Sequence, residues 1–231
     1  MDPSRETSST KPVIAILGGT GKEGSGLAVR WAHAGYPVII GSRDAVRAAA
    51  TAAELAVIAG KHAQLSGTNN LDAATRAEII VLAVPYSAQL PTAEEIQSAL
   101  AGKLLIDVTV PLVPPKVDRV QLPEGGSAVV RLQQLLGAAV QVVSAFQNVS
   151  AHHLKEPGHP IECDVLVCGD SAEARERVIG LAQAAGMRGV NAGPLANSAA
   201  AEALTSVLIA INKRYKIPSS GIRITGIPGA H

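Results

Sequence analysis

Short, continuous apolar runs alternate along the chain with alanine-rich stretches of helical spacing. Residues 13–17 form the first run, and a helix expected over 27–34 follows it, closed by Gly35. A second run covers 37–41, with a helix over 46–59 ending at Gly60. Further runs at 78–84 and 103–108, the fourth and fifth strands of the expected order, are the pattern of parallel strands buried on both faces. The stretch 110–126 is proline-rich and irregular, an excursion over the surface or toward a ligand. Beyond it the pattern predicts a helix at 128–136, strands at 141–146 and 164–169, a helix at 172–185, a short strand at 189–191 and a last helix at 196–214. Such alternation predicts an α/β fold, a Rossmann-type doubly wound sheet with a small C-terminal α/β lobe extending it. The expected division is a disordered polar tail at 1–10, a nucleotide-binding domain at 11–140 and the small lobe at 141–231.

Between the first run and its helix stands Gly19-Thr20-Gly21-Lys22-Glu23-Gly24. A strand ending in G-x-G-x-x-G that opens a helix is a dinucleotide-binding pattern. The first glycine allows the tight turn, the second lets backbone approach the pyrophosphate, and the third permits close helix–strand packing. The phosphates then meet the free N–H groups at the helix start. The competing reading is a glycine-rich turn without a ligand.

The second run ends in Ser42-Arg43, with no Asp or Glu where an NAD enzyme holds the ribose 2′-hydroxyl. A hydroxyl and a guanidinium suit a 2′-phosphate, and Arg47, one helical turn on, adds charge. Asp44 reads as the cap of the next helix. These residues predict NADP, against the alternative that they are ordinary solvated side chains.

Composition narrows the partners. The chain of 231 residues is 47% hydrophobic and 17% charged, with net charge +1, which gives no support for nucleic-acid or acidic-membrane binding. Its five aromatic residues (one Trp, three Tyr, one Phe) are too few for base stacking. The first ten residues do not read as a signal peptide, and no apolar stretch of membrane-spanning length is expected. Cys163 and Cys168 form no C-x-x-C pair, so a cytoplasmic protein with reduced thiols is expected. The alanine-rich helices allow a broad apolar surface, and a homodimer is the expected assembly.

Four places could shape a site. Pro85-Tyr86 stands at the mouth of the fourth strand, with Leu90 one turn on; Tyr86 either packs on the dinucleotide or anchors a loop. Pro111 to Pro114 stiffen a wall or merely turn the chain. Ser144 to Ala151 carry adjacent amides, Gln147 and Asn148, suited to a heterocycle or to backbone capping. Gly193 to Ser198 open the last helix. His152, His153 and His159 with the cysteines match no zinc spacing, so no metal is expected. No catalytic triad, carboxylate pair or clear proton donor can be assembled from spacing. Hydride transfer between stacked rings needs positioning and water exclusion more than a protein acid or base.

The chain resembles the F-420-dependent NADP reductases, which pass hydride between NADPH and coenzyme F-420, an 8-hydroxy-5-deazaflavin. The likeness runs from about residue 13 to 227. It rests on Ile16 to Gly21, Gly41-Ser42-Arg43, Val84-Pro85-Tyr86, Val143-Ser144-Ala145, Val167-Cys168-Gly169-Asp170 and Gly193 to Ser198; the last two blocks are particular to the family. The resemblance implies NADP binding by Thr20, Gly21, Lys22, Glu23, Ser42, Arg43 and Arg47. Tyr86, Leu90 and Ala151 would flank the nicotinamide half. A deazaflavin cleft would be lined by Pro111, Val113, Gln147, Asn148, Leu195 and Asn197. Two departures lie near the acceptor: Phe146-Gln147 replaces a Leu-His pair, and Tyr86 a Trp-like position. The alternatives are an NADP-dependent reductase of another small acceptor (flavin, ferric ion, carbonyl or imine) or a non-catalytic NADPH-sensing regulator. The same domain occurs in flavin-using metalloreductases, which carry membrane helices.

Overall fold

The computed structural model describes residues 11–227, so the polar tail expected at 1–10 lies outside the described residues. The first half alternates strictly: β1 (Ile14–Leu17), α1 (Lys22–His33), β2 (Val38–Ser42), α2 (Ala45–Ala59), β3 (Leu65–Asn69), α3 (Asn70–Arg76), β4 (Ile79–Leu82), α4 (Gln89–Ile96) and β5 (Leu104–Asp107). After the proline-rich excursion come α5 (Ala128–Leu136), β6 (Gln141–Ser144), β7 (Val165–Gly169), α6 (Ala172–Ala184), β8 (Gly189–Asn191) and α7 (Ser198–Tyr215). One eight-stranded sheet results, in the order β3-β2-β1-β4-β5-β6-β7-β8. The strands from β3 to β6 are parallel, in the doubly wound order. β7 then runs antiparallel to β6, and β8 parallel to β7, so the small lobe does extend the same sheet.

The continuous apolar runs are explained by burial on both faces. In β1, Ile14 and Ile16 pack with Leu27, Trp31, Ala48, Leu55, Val178 and Leu181 of α1, α2 and α6. Ala15 and Leu17 point the other way, to Ala73, Ala93, Ile96, Val129 and Leu132 of α3, α4 and α5. The pleat sends alternate side chains to opposite layers, so both must be apolar.

The structure adds a strand and a helix that the apolar pattern does not outline. β3 (Leu65-Ser-Gly-Thr-Asn) is an edge strand with one large apolar residue, paired only to β2, and α3 follows it at once. An edge strand needs little apolar content, so it leaves little trace in the sequence. α1 also starts five residues earlier than the expected residue 27. The turn into it rests on Gly18 rather than Gly19: Gly18 has φ +80°, and a Cβ there would lie 2.3 Å from the Ala83 carbonyl oxygen.

The small lobe is fastened to α1. Trp31 donates its indole N–H to the Leu181 carbonyl (2.8 Å). Arg30, 3% exposed, donates to five carbonyls: Leu154 and Ala185 (3.0 Å each), His153 (3.1 Å), Glu156 and His159 (2.8 Å each). Burial lowers the guanidinium pKa, but five carbonyl dipoles keep the charge solvated inside the protein. The loop carrying those carbonyls reaches α1 because Gly26 has no side chain; a Cβ there would stand 2.3 Å from Leu154 Cβ.

The stretch Leu195–Tyr215, which contains α7, is the one described helical stretch long and apolar enough to cross a membrane, where none was expected. Its composition is alanine- and leucine-rich for another reason. Ala201 and Leu208 are buried against the body of the protein, and Glu202 in its middle is bonded into α5.

Candidate active site

Four helices begin with a side chain accepting a first-turn N–H: Asp44 from Arg47 (3.0 Å), Asn69 from Asp72 (2.9 Å), Ser127 from Val130 (3.1 Å) and Ser171 from Ala174 (3.2 Å). α1 differs. Its cap is Gly21, and no side chain satisfies its first N–H groups. The donors of Lys22, Glu23 and Gly24 are therefore open at the positive end of the helix dipole, at the carboxyl edge of the sheet. Thr20 and Lys22 border this opening, and Gly19 and Gly24 are buried beneath it.

At the tip of β2, Asp44 is spent on capping α2, as expected. Ser42 accepts from the Asp44 N–H (3.2 Å). Arg43 and Arg47 are exposed and make no ion pair with any described residue. Two guanidiniums free of ion pairs, with the one intervening acid, Asp44, turned to the α2 cap, form a local anion site, which fits a 2′-phosphate and not a bare ribose diol.

A cavity of about 710 Å³ opens beside the start of α1 and the ends of β4, β5 and β6. That volume suits a drug-sized ring system. Val84, Val108, Val110, Leu112, Val113 and Pro114 make its apolar walls, with Pro85, Tyr86, Thr205, Gln147 and Glu23 supplying polar or edge positions. Gln147 reaches the cavity through a backbone twist. Phe146 takes φ +71°, while its ring packs edge-on against Trp31 at 5.7 Å. A non-glycine residue in that region is strained, and here the twist aims the next side chain inward. The Gln147 amide donates to the Asp107 carbonyl (2.8 Å), leaving its own Oε1 buried without a partner.

Three acidic groups stand in line behind this cavity. Glu23 borders it, and its Oε1 is buried with no hydrogen-bond partner. Burial, and secondarily the nearby Asp107, push its pKa up to about 8. Asp107, at the end of β5, is completely buried; it accepts from the Thr109 N–H (2.9 Å) and from the Gln89 amide. Burial raises its pKa as well, and those hydrogen bonds pull the other way. Glu202, 1% exposed, accepts from Ser127 Oγ (2.6 Å), the Ala128 N–H (2.7 Å) and the Val129 N–H (3.3 Å). Burial raises its pKa against the pull of those donors. Donors stand around Asp107 and Glu202 and none meets Glu23 Oε1, so burial favours the neutral acid most plainly at Glu23.

The structure thus brings Glu23, Pro85, Tyr86, Val113 and Gln147 around one cavity. It does not bring the other cleft candidates to that wall. Leu90 packs into the layer of α3, α4 and α5, and Ala151 against the opposite layer. Pro111 is buried behind the wall. Asn148 turns away, donating to the Ala201 carbonyl (2.8 Å) and to Thr205 Oγ1 (3.2 Å) of α7. Leu195 is 3% exposed within the apolar core, and Asn197 donates to the Ala192 carbonyl (2.7 Å), closing the turn before α7. Asp107 and Glu202 escape the pattern-based reading. The signal for Asp107 is an acid closing an otherwise apolar strand, Leu-Leu-Ile-Asp; for Glu202 it is one acid within an apolar helix.

His153, Glu156 and His159 also cluster, their ligating atoms lying within 4.8 Å of one another. The two imidazoles are stacked, centroids 3.9 Å apart and planes 19° from parallel. A metal bonds in the ring plane, and near-parallel stacked rings share no such point. The Glu156 carboxylate bridges the pair instead, 3.1 Å from His153 Nδ1 and 3.8 Å from His159 Nδ1. Cys163 and Cys168 are free and buried, and burial raises both thiol pKa values.

An open helix start, a basic ribose end and an apolar ring cleft on a doubly wound sheet define the class, an NADP-dependent oxidoreductase. Comparison with known proteins narrows it. Residues 13–111 match the family model described as NADP oxidoreductase, coenzyme F420-dependent. The chain is 40% identical over 221 residues to the F420-dependent NADP reductase of Methanothermobacter thermautotrophicus, covering 93% of this chain and 95% of that one. It is 41% identical over 221 residues to the protein of that name from Methanocaldococcus jannaschii, covering 93% and 98%. A crystal structure from Arthrobacter sp., provisionally assigned as an F420-dependent NADP reductase, shares the fold with a TM-score of 0.76 at 24% identity, covering 92% and 99%. The chain belongs to the F420-dependent NADP oxidoreductase family.

Proposed function

We propose that this protein passes hydride between NADP(H) and the deazaflavin coenzyme F420, held face to face in the 710 Å³ cleft, without a covalent intermediate. The observation that carries the reading is the placement of that apolar cleft beside the uncapped start of α1, with the unpaired Arg43 and Arg47 at the tip of β2 on the same edge of the sheet. When bound, the two rings supply the hydride donor and acceptor; the chain supplies position. The N–H groups of Lys22, Glu23 and Gly24 hold the pyrophosphate, and Ser42, Arg43 and Arg47 the 2′-phosphate. Pro85 and Tyr86 flank the nicotinamide, while Leu90 and Ala151 lie away from that wall. Val113, Gln147 and the Pro111 segment face the deazaflavin and keep water out. Asn148 acts from outside the cavity, fixing α7 and Thr205 beside Gln147, while Leu195 and Asn197 hold the start of α7.

NADPH mixed with the oxidised deazaflavin and the purified protein bleaches the deazaflavin's visible absorbance; absence of bleaching overturns the reading. Arg43→Ala weakens NADPH binding by roughly 1.5–3 kcal/mol, the range of a charged hydrogen bond, and leaves NADH almost unchanged. Equal losses for both nucleotides would remove the 2′-phosphate from that site.

One observation favours a second reading, an NADP-dependent reductase of a small carbonyl or imine. Such a reaction needs a proton donor, and Glu23 borders the cleft. Turnover of a carbonyl and imine panel without any deazaflavin bleaching would put it first. As to setting, the reading is of a cytoplasmic homodimer without nucleic-acid or membrane partners, supported by the half-exposed Leu204, Val207 and Ile211 on α7. Light scattering on the purified protein measures the assembly directly.

A further inference from the structure

We propose that Glu23 is the proton-transfer group of the cleft, giving a proton to a ring nitrogen of the acceptor as hydride leaves NADPH and remaining as a carboxylate beside the oxidised nicotinamide. The inference rests on the hydride-transfer reading above and adds a residue that the glycine pattern assigns only to phosphate binding.

The chemistry demands such a group. In acceptor reduction a C–H bond of the dihydronicotinamide breaks, both electrons pass with the hydride into a new C–H bond, and the nicotinamide is left cationic. The reduced acceptor must also gain one proton at nitrogen. Glu23 supplies it by breaking its carboxyl O–H bond, so charge and atoms balance. In the opposite direction it takes the same proton back.

Geometry selects Glu23. Among the described residues that line the cavity, it and Tyr86 are the only titratable ones, and no Lys or Arg stands in the wall. Its Oε1 is buried without a partner, as is the Oε1 of Gln147 in the same wall. A carboxyl oxygen held out of solvent with no donor opposite it favours the neutral acid, which can donate. The groups packed behind reinforce this. From β5, Asp107 accepts from Gln89 and Thr109 while burial raises its pKa to about 7; from α7, Glu202 is a second acid facing Asp107. Gln147 is neutral, and the neighbouring Lys22 is exposed to solvent. A cationic nicotinamide ring beside Glu23 reverses the balance and favours its carboxylate, so proton release follows the oxidation state of the nucleotide.

Calorimetric titration of the protein with NADP⁺ and with NADPH at pH 7, in two buffers of different ionisation enthalpy, counts the protons without any acceptor present. Wild type is expected to release about one proton on binding NADP⁺ and almost none on binding NADPH. E23Q and E23L are expected to bind NADPH and release none with either nucleotide. Stopped-flow reduction of the deazaflavin by E23Q is expected to slow ~10²-fold with KM for NADPH nearly unchanged, and to lose the alkaline fall of its pH profile. Wild type that binds both nucleotides without proton release overturns the proposal alone. So does release by E23Q or E23L equal to that of wild type. Failure of wild type to bind either nucleotide overturns the functional reading and this inference with it. Should neither variant fold, the wild-type proton count still decides.

Discussion

Glu202 and Glu23 each hold a helix-borne carboxyl oxygen out of solvent, and their surroundings are opposite. Glu202 meets the open start of α5: two backbone N–H groups and Ser127 Oγ point at it, within 2.6–3.3 Å. The helix start needs an acceptor and the carboxylate needs donors, so each resolves the other's cost of burial. Glu23 lies in the first turn of α1, where the first N–H groups are left without a side-chain cap, and its own Oε1 has no partner. At Glu202, burial leaves both carboxylate oxygens with donors. The region that awaits a ligand leaves both N–H donors and carboxyl oxygen unpaired, and unsatisfied groups of this kind mark function better than exposure does.

The contrast can be broken from either end. The largest effect is expected for Glu202→Ala, which strands the Ala128 and Val129 N–H groups and Ser127 Oγ. It is expected to cost about 2–4 kcal/mol in urea denaturation. A loss near zero would mean that water replaces the carboxylate and that the seat is not structural. Next is Glu23→Leu, with the opposite sign. The folded pKa of Glu23 lies near 8 against an ordinary 4.5, so between those values the folded state holds a proton that the unfolded state has lost. Stability contributed by this group therefore falls as pH rises through that window. Leucine removes the penalty. It is expected to stabilise the protein by about 1–3 kcal/mol at pH 8 and to give a shrinking advantage toward pH 5. Stabilisation independent of pH would assign the gain to packing. The smallest effect is expected for Ser127→Ala, which removes the cap of α5 and one of the three donors to Glu202. A loss of about 1 kcal/mol in thermal melts is expected, and a loss equal to that of Glu202→Ala would show the seat to be indivisible.

How much of this was legible along the chain varied with the range of the interactions. The β1–glycine–α1 unit and the Ser42-Arg43 tip were readable because each is local, a few residues whose backbone and charge define the ligand they can meet. β3 was not, since an edge strand needs only backbone partners. The turn glycine shifted by one, to Gly18, because the obstacle is the Ala83 carbonyl, which belongs to β4's exit and not to the motif. Of the cleft candidates, Val113 and Gln147 reach the cavity wall; Asn148, one residue further on, faces α7. Neighbours leaving a strand point to opposite sides, and only the twist at Phe146 determines which one enters the cavity.

By itself the amino-acid sequence determined a doubly wound sheet, a glycine-rich turn between its first strand and helix, and a second strand ending in Ser42-Arg43 with no acid where an NAD enzyme carries one. All three follow from short-range pattern and local charge. Tertiary structure alone decided the rest. It buried Arg30 under carbonyls as far along the chain as Ala185, and it set Asp107 and Glu202 behind Glu23. The protonation of a carboxyl is a property of everything packed around it. That is why Glu23 reads as one more residue of a glycine loop in the sequence, and as the acid of the cleft in the fold.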